Sequence, residues 1–146
     1  KVLATDAFIE NATITLDFFD GKTLDFEVVT VSFDEVISQS DFITFHVPAL
    51  GGYLIDEAEF AKMKKGVGII NAARGGVINE VALTKAIDDE IVAFAGLDVF
   101  EDEPTPAVQV LMNTQISLTP HIGAATLEAQ DRIGTELAEQ IIAILK

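Results

Sequence analysis

The chain has no cysteine among its 146 residues, which excludes a disulfide framework and a thiolate metal site. Positive charge is also scarce. Nine lysines and arginines stand against 24 acidic residues, a formal net charge of −15 at pH 7. That balance argues against polyanionic partners, both nucleic acid and anionic membrane surfaces. The sequence shows no apolar run of membrane-spanning length and no secretory leader pattern. A soluble cytoplasmic protein is therefore the expectation. Low-complexity tracts and internal repeats are missing too. Apolar residues, by contrast, make up 49% of the chain. This is a globular composition, and the length suits one domain with a sizeable core.

Residues 67–77, Val-Gly-Ile-Ile-Asn-Ala-Ala-Arg-Gly-Gly-Val, organise the rest. A short apolar run ends abruptly at Arg74, between small residues. Bounded runs of this kind form buried parallel strands, and ligands of open α/β sheets sit just beyond the carboxyl ends of such strands. Gly75 and Gly76 permit a tight turn with close backbone approach.

The same strand and helix signals recur along the chain. Residues 1–6 read as a strand ending on Asp6, an acid that either accepts from a ribose diol or closes a turn. Residues 12–31 alternate about Asp20-Gly21 and predict a β-hairpin. Its acids Asp17, Asp20, Asp25 and Glu27 lack the ligand spacing of a calcium loop, so they read as a solvated face and no metal is expected. Ser32, with Glu35 three residues on, opens a helix to about Gln39. A strand over 41–48 is stopped by Pro48 and carries His46 near its end. Asp56 and Glu59 box the start of a helix over 56–64. Asn79 caps another helix. A strand over 91–100 carries Asp98 near its exit. A last strand over 116–119 is broken by Pro120. From about 125 a long helix runs to 146, with Ile133, Leu137, Ile141, Ile144 and Leu145 along one side. Alternating strands and helices imply a parallel sheet with right-handed crossovers.

Three ionisable groups fall at strand exits: Arg74, Glu103 and His121. A guanidinium is a permanently charged fork that fits a carboxylate and polarises a carbonyl. An imidazole passes a proton to or from the adjacent oxygen, and a carboxylate beside it fixes its orientation. Together they suit hydride transfer between a 2-hydroxy acid and a nicotinamide. Periodicity alone leaves a second reading open: an arginine at a turn, a solvated acid and a loop histidine.

Four segments in order, His46-Val47-Pro48, 71–76 (Asn-Ala-Ala-Arg-Gly-Gly), 96–104 (Gly-Leu-Asp-Val-Phe-Glu-Asp-Glu-Pro) and 119–123 (Thr-Pro-His-Ile-Gly), resemble successive signatures of the D-isomer-specific 2-hydroxyacid dehydrogenases. The likeness runs in register along the chain, interrupted by the hairpin. It implies a Rossmann-like, doubly wound parallel sheet that binds NAD, with the hairpin (about 12–31) and the C-terminal helix (about 125–146) as elaborations. It implies that Arg74 holds the substrate carboxylate, His121 is the general acid/base and Glu103 is its partner, with Glu101 and Asp102 as bystanders. Asp98 would lie near the nicotinamide. Asp6 would take the adenosine ribose hydroxyls, favouring NAD over NADP. Ala72, Ala73, Ile122, Gly123 and Ala124 would give close backbone contacts, and His46, Val47 and Pro48 would line the adenine side. The implied substrate is a D-2-hydroxy or 2-oxo acid, with 3-phosphoglycerate in view, and the implied assembly is a homodimer through this domain.

The departures are specific. The sequence holds no Gly-x-Gly-x-x-Gly turn, and the substrate domain of such enzymes is not in it. The expectation is thus a partial NAD-binding domain over 1–146, incomplete at its start and inactive by itself. A different reading is a dinucleotide-sensing, corepressor-like module without turnover. A third is a dimerisation unit built on the last helix.

Overall fold

A computed structural model describes residues 1–49 and 51–145. Strand β1 (Asn11–Asp17) pairs antiparallel with β2 (Thr23–Val29). Ile14 faces Phe26 and Leu16 faces Leu24 across the ladder, while Thr13 and Thr15 donate to Glu27 and Asp25. This is the expected hairpin, and the period of two sorts apolar from polar pairs onto opposite faces.

The second sheet positions the site. Helix α1 (Phe33–Gln39) opens at Ser32, whose hydroxyl accepts from the Glu35 amide. Then follow β3 (Phe42–Phe45), α2 (Glu57–Phe60), β4 (Val67–Asn71), α3 (Glu80–Asp88), β5 (Val92–Leu97), α4 (Val108–Met112), β6 (Ile116–Leu118) and α5 (Leu127–Ile144). The four strands β3-β4-β5-β6 lie side by side in chain order and pair in parallel. That is the arrangement of one wing of a doubly wound sheet.

One core holds it together. Ile43, Phe45, Val67, Ile69, Val92, Ala95, Leu97 and Ile116 from the strands meet Phe60, Leu83, Ala86, Ile87 and Val110 from the helices. Leu83 and Ile69 are fully sealed from water, and each such side chain contributes about 1.5–3 kcal/mol by burial. The other face of the sheet is open. Phe42 is 67% exposed, and its ring leans on that of Phe94 across Gly68.

Three expectations change. Residues 1–6 are irregular rather than a strand. Ala4 accepts from Val31 N, but no strand among the described residues lies beside the segment, and a strand forms only where a neighbour completes its ladder. Helix α2 ends at Phe60, short of Lys64. Lys62 and Met63 donate three residues back, to Glu59 and Phe60, a tighter turn that tucks Met63 into the core. The stretch between β5 and β6, where no helix was expected, forms α4. The long terminal helix is present, capped by the Thr126 hydroxyl on Ala129 N, and it buries no residue against the rest. Lys146 lies outside the described residues.

Candidate active site

Because the strands are parallel, their carboxyl ends share one edge, and the candidate groups lie in the segments that leave it. Beyond β4, Asn71 is buried and bonds its own turn: its Oδ1 accepts from Ala73 N (3.1 Å) and its Nδ2 donates to Arg74 O (3.0 Å). That turn leaves Ala72 and Arg74 exposed. Among the described residues Arg74 has no carboxylate partner, and its Nη1 donates to Ala73 O at 2.6 Å. Gly75 then packs directly on the next segment. A Cβ there would stand 1.8 Å from Phe100 O, so no larger residue fits without moving backbone.

Beyond β5 and β6, two carboxylates organise the loops. His121 Nδ1 lies 2.8 Å from Glu103 Oε2, and the other oxygen of Glu103 accepts from Phe100 N at 3.0 Å. The hydrogen bond to His121, with that amide, holds the Glu103 carboxyl below its ordinary range. His121 has φ 54°, a left-handed conformation that few residues with a Cβ adopt. The flanking chain is pinned by Asp98, which accepts from Thr119 Oγ1 (2.5 Å), Ile122 N (2.9 Å) and Gly123 N (2.9 Å). Burial pushes the Asp98 carboxyl up, but these three donors outweigh it and leave it below the usual range. A cleft of about 340 Å3 adjoins the pair, walled by Phe100, Leu111, Leu118 and Pro104, Pro106 and Pro120 together with Glu103 and His121.

The structure brings Glu103, His121 and Asp98 together, with Ile122 and Gly123 in the same turn and Ala124 next along it. Arg74, Ala72 and Ala73 stand on the neighbouring strand exit, and the turn after Arg74 touches the segment that leads to Glu103. His46 is exposed at the exit of β3, its Nε2 3.3 Å from Thr44 Oγ1, with Val47 half-buried and Pro48 exposed. Asp6 is not joined to this group by any hydrogen bond, and its Oδ1 accepts from Phe8 N and Ile9 N in a local turn. Residues not singled out from sequence also take part. Thr119 bonds Asp98, and Glu101, expected to be idle, bonds Glu80 N and Tyr53 Oη. Thr119 was within reach of sequence, since it opens the Thr-Pro-His segment. Glu80 gave no such signal.

The family model for the D-isomer specific 2-hydroxyacid dehydrogenase, NAD binding domain, matches residues 7–123. The chain belongs to this family. It is 47% identical over 113 residues to D-3-phosphoglycerate dehydrogenase of Mycobacterium leprae, which covers 76% of this chain and 21% of that one. Among solved structures it resembles a glyoxylate reductase from Paecilomyes thermophila (TM-score 0.68, 42% identity, 80% of this chain and 34% of that one). It also resembles the D-lactate dehydrogenase of Aquifex aeolicus complexed with NAD and lactic acid (TM-score 0.65, 32% identity, 81% and 41%). These are Rossmann-type α/β folds, as the sheet here is. The chain spans 19–23% of the length of the phosphoglycerate dehydrogenases it matches.

Proposed function

We propose that this chain supplies the catalytic edge of an NAD-dependent oxidoreductase acting on a D-2-hydroxy acid, with 3-phosphoglycerate as the substrate. The observation that carries this reading is the 2.8 Å contact between His121 Nδ1 and Glu103. Its physical consequence is orientation. With Nδ1 held by a carboxylate, Nε2 is the ring nitrogen left to meet a substrate oxygen. The Arg74 guanidinium one strand away, with no carboxylate partner among the described residues, matches the carboxylate of such a substrate. The choice of 3-phosphoglycerate is supported by relatives at 45–47% identity that are named D-3-phosphoglycerate dehydrogenases.

The residues present fit the nicotinamide end of the cofactor. Ala72, Ala73, Gly123 and Ala124 leave little side chain at the strand edge, Ile122 stands among them with its amide on Asp98, and Asp98 lies beneath this last segment. Arg74, His121 and His46 to Pro48 would border the cofactor along the same edge. The diphosphate has no glycine-rich cradle within this sequence. When bound, NADH supplies the hydride that reduces a 2-oxo acid at C2. Arg74 binds and orients the acid, and His121 gives its Nε2 proton to the oxygen that becomes the hydroxyl. Glu103 keeps the ring in place, with Nδ1 turned toward its carboxylate and Nε2 toward the substrate. Oxidation of the hydroxy acid runs the same proton path in reverse. A carboxylate at Asp6 would favour NAD over NADP by repelling a 2′-phosphate.

The test is NADH oxidation by the full-length protein with 3-phosphohydroxypyruvate and related 2-oxo acids. Turnover that collapses in Arg74→Ala is the expected result. No turnover on any of them refutes the reading. The 146 residues alone should not turn over, because the phosphate cradle is not in them. We also propose a homodimer through this domain, supported by the exposed apolar side of α5. Light scattering that returns a monomer of the full-length protein at micromolar concentration would exclude it.

A further inference from the structure

Two segments leave the edge of the sheet side by side, and they are joined at three levels. At the start, Asp98 N donates to Asn71 O at 2.9 Å. In the middle, Gly75 packs against the carbonyl of Phe100. At the far end, two glutamates exchange backbone bonds. Glu80 N donates to Glu101 Oε1 and Glu101 N donates to Glu80 Oε1, both at 2.7 Å. Tyr53 Oη donates to the remaining Glu101 oxygen at 2.9 Å. Arg74 lies on one of these segments, between the first and second levels. Glu103 follows two residues after the last level on the other.

From this juxtaposition we infer that Glu80 and Glu101 form a reciprocal clamp that sets Arg74 against the Glu103–His121 pair. They are thus positioning residues for the reaction proposed above, on which this inference rests. Amide-to-carboxylate bonds are among the stronger and shorter hydrogen bonds, and a reciprocal pair fixes both separation and register. The placement of Glu80 supports a positional role. It is 7% exposed, and burial pushes its carboxyl above the ordinary range, opposed by the Glu101 amide. Burying a carboxylate is unfavourable unless its bonds repay the lost hydration. An acid in the first turn of α3 would suit the helix dipole from solvent. Glu80 instead reaches across to an amide 21 residues further on. Three of the four clamp oxygens accept protein donors, and no group of acids among the described residues is arranged to hold a metal.

The test uses the full-length protein carrying Glu101→Ala, Glu101→Gln or Tyr53→Phe, with two kinds of readout. One is kinetic: kcat, the KM for NADH and the acid limb of kcat/KM. The other needs no substrate: the carboxyl titration of Glu103 followed by 13C NMR. Misplacement on the ångström scale lowers rate by roughly 10–100-fold, and Glu101→Ala should lower kcat by that much with KM for NADH within about twofold. Its loosened segment should release the His121 contact that holds Glu103 low. Both the acid limb and the Glu103 titration then move to higher pH. Glu101→Gln keeps an acceptor for Glu80 N and should retain most of the turnover. Tyr53→Phe, an exposed change, should move the same observables in the same direction by about threefold in kcat. A purely structural role predicts something different: a lower melting temperature in Glu101→Ala, with kcat per folded molecule and the Glu103 titration as in wild type. That result overturns the inference, as does a Gln variant that fails as badly as Ala. Should Glu101→Ala not fold, a Tyr53→Phe protein with wild-type kinetics and titration overturns it equally. A wild type silent on every 2-oxo acid would refute the proposed reaction, while the Glu103 titration would still decide the clamp.

Discussion

On one side of the parallel sheet, Ile43, Phe45, Ile69, Ala95 and Leu97 share a sealed core with α2, α3 and α4. On the other side Phe42, Ile70 and Phe94 are 67%, 42% and 42% exposed. Parallel sheets are ordinarily covered on both faces, so the two sides differ in how strongly each resists change. The candidate site depends on the covered side. Asn71, Asp98 and Glu80, the buried polar residues of the molecule as described, all lie at the carboxyl edge. Their bonds go to the backbone turns that carry Arg74 and His121 or brace the segment before Glu103. The hairpin and α5 carry no comparable bonds to the sheet.

The largest break in that contrast should come from Leu83→Ala. Leu83 is fully buried between α3 and the sheet, and truncation there should cost about 2–5 kcal/mol. Ile141→Ala, on the exposed side of α5, should cost no more than about 0.5 kcal/mol. Urea midpoints compare them, and equal losses would mean that α5 belongs to the same core.

Next come two glycines that both look too crowded for a methyl group. At Gly75 the added Cβ would stand 1.8 Å from a backbone carbonyl, and at Gly68 it would stand 2.6 Å from the tip of the Phe94 ring. Backbone on the locked side cannot yield, so Gly75→Ala should cost about 1–3 kcal/mol and strip most activity. The Phe94 ring can swing into the open face, so Gly68→Ala should cost less than about 1 kcal/mol. Reversal of that order would show the open face to be the tighter one.

The smallest effect is in pH. The folded-state carboxyl of Glu80 is raised by burial, so its contribution is fully present below its unfolded pKa and is lost as pH rises through the folded value. Glu103 is lowered, chiefly by its bond to His121. Its contribution is present above the unfolded pKa and is lost as pH falls through the folded value. Glu80→Gln should therefore gain stability relative to wild type as pH rises from 4 to 7. A Glu103→Gln variant should lose it over the acidic part of the same range. Parallel curves for both variants would contradict these shifts.

Much of the scaffold was legible in sequence because local pattern decides it. The run at 67–73, the Asp-Gly turn of the hairpin and the apolar period of α5 each specify an element without help from elsewhere. Residues 1–6 have the same strand-like pattern, yet pairing is a property of two segments, and apart from the single bond of Val31 N to Ala4 O no strand among the described residues lies beside them. Helix α2 stopped early because packing of Met63 outweighed continuation of the helix. Within the site, spacing put Arg74, Glu103 and His121 at strand exits, but choosing Glu103 over Glu101 and Asp102 came from family likeness. The geometry separates these acids by partner: Glu103 meets an imidazole, whereas Glu101 meets an amide and a phenol. The Glu80–Glu101 exchange and the left-handed His121 follow from how distant segments meet, and no period in the sequence encodes them.

In the proposed reaction His121, held by Glu103, moves the proton. Steady-state NADH oxidation by the full-length protein carrying His121→Asn tests it most directly, with NADH binding measured alongside. Loss of the general acid should lower kcat by about 10²–10⁴-fold while NADH still binds. Turnover at the wild-type rate in that variant would contradict it.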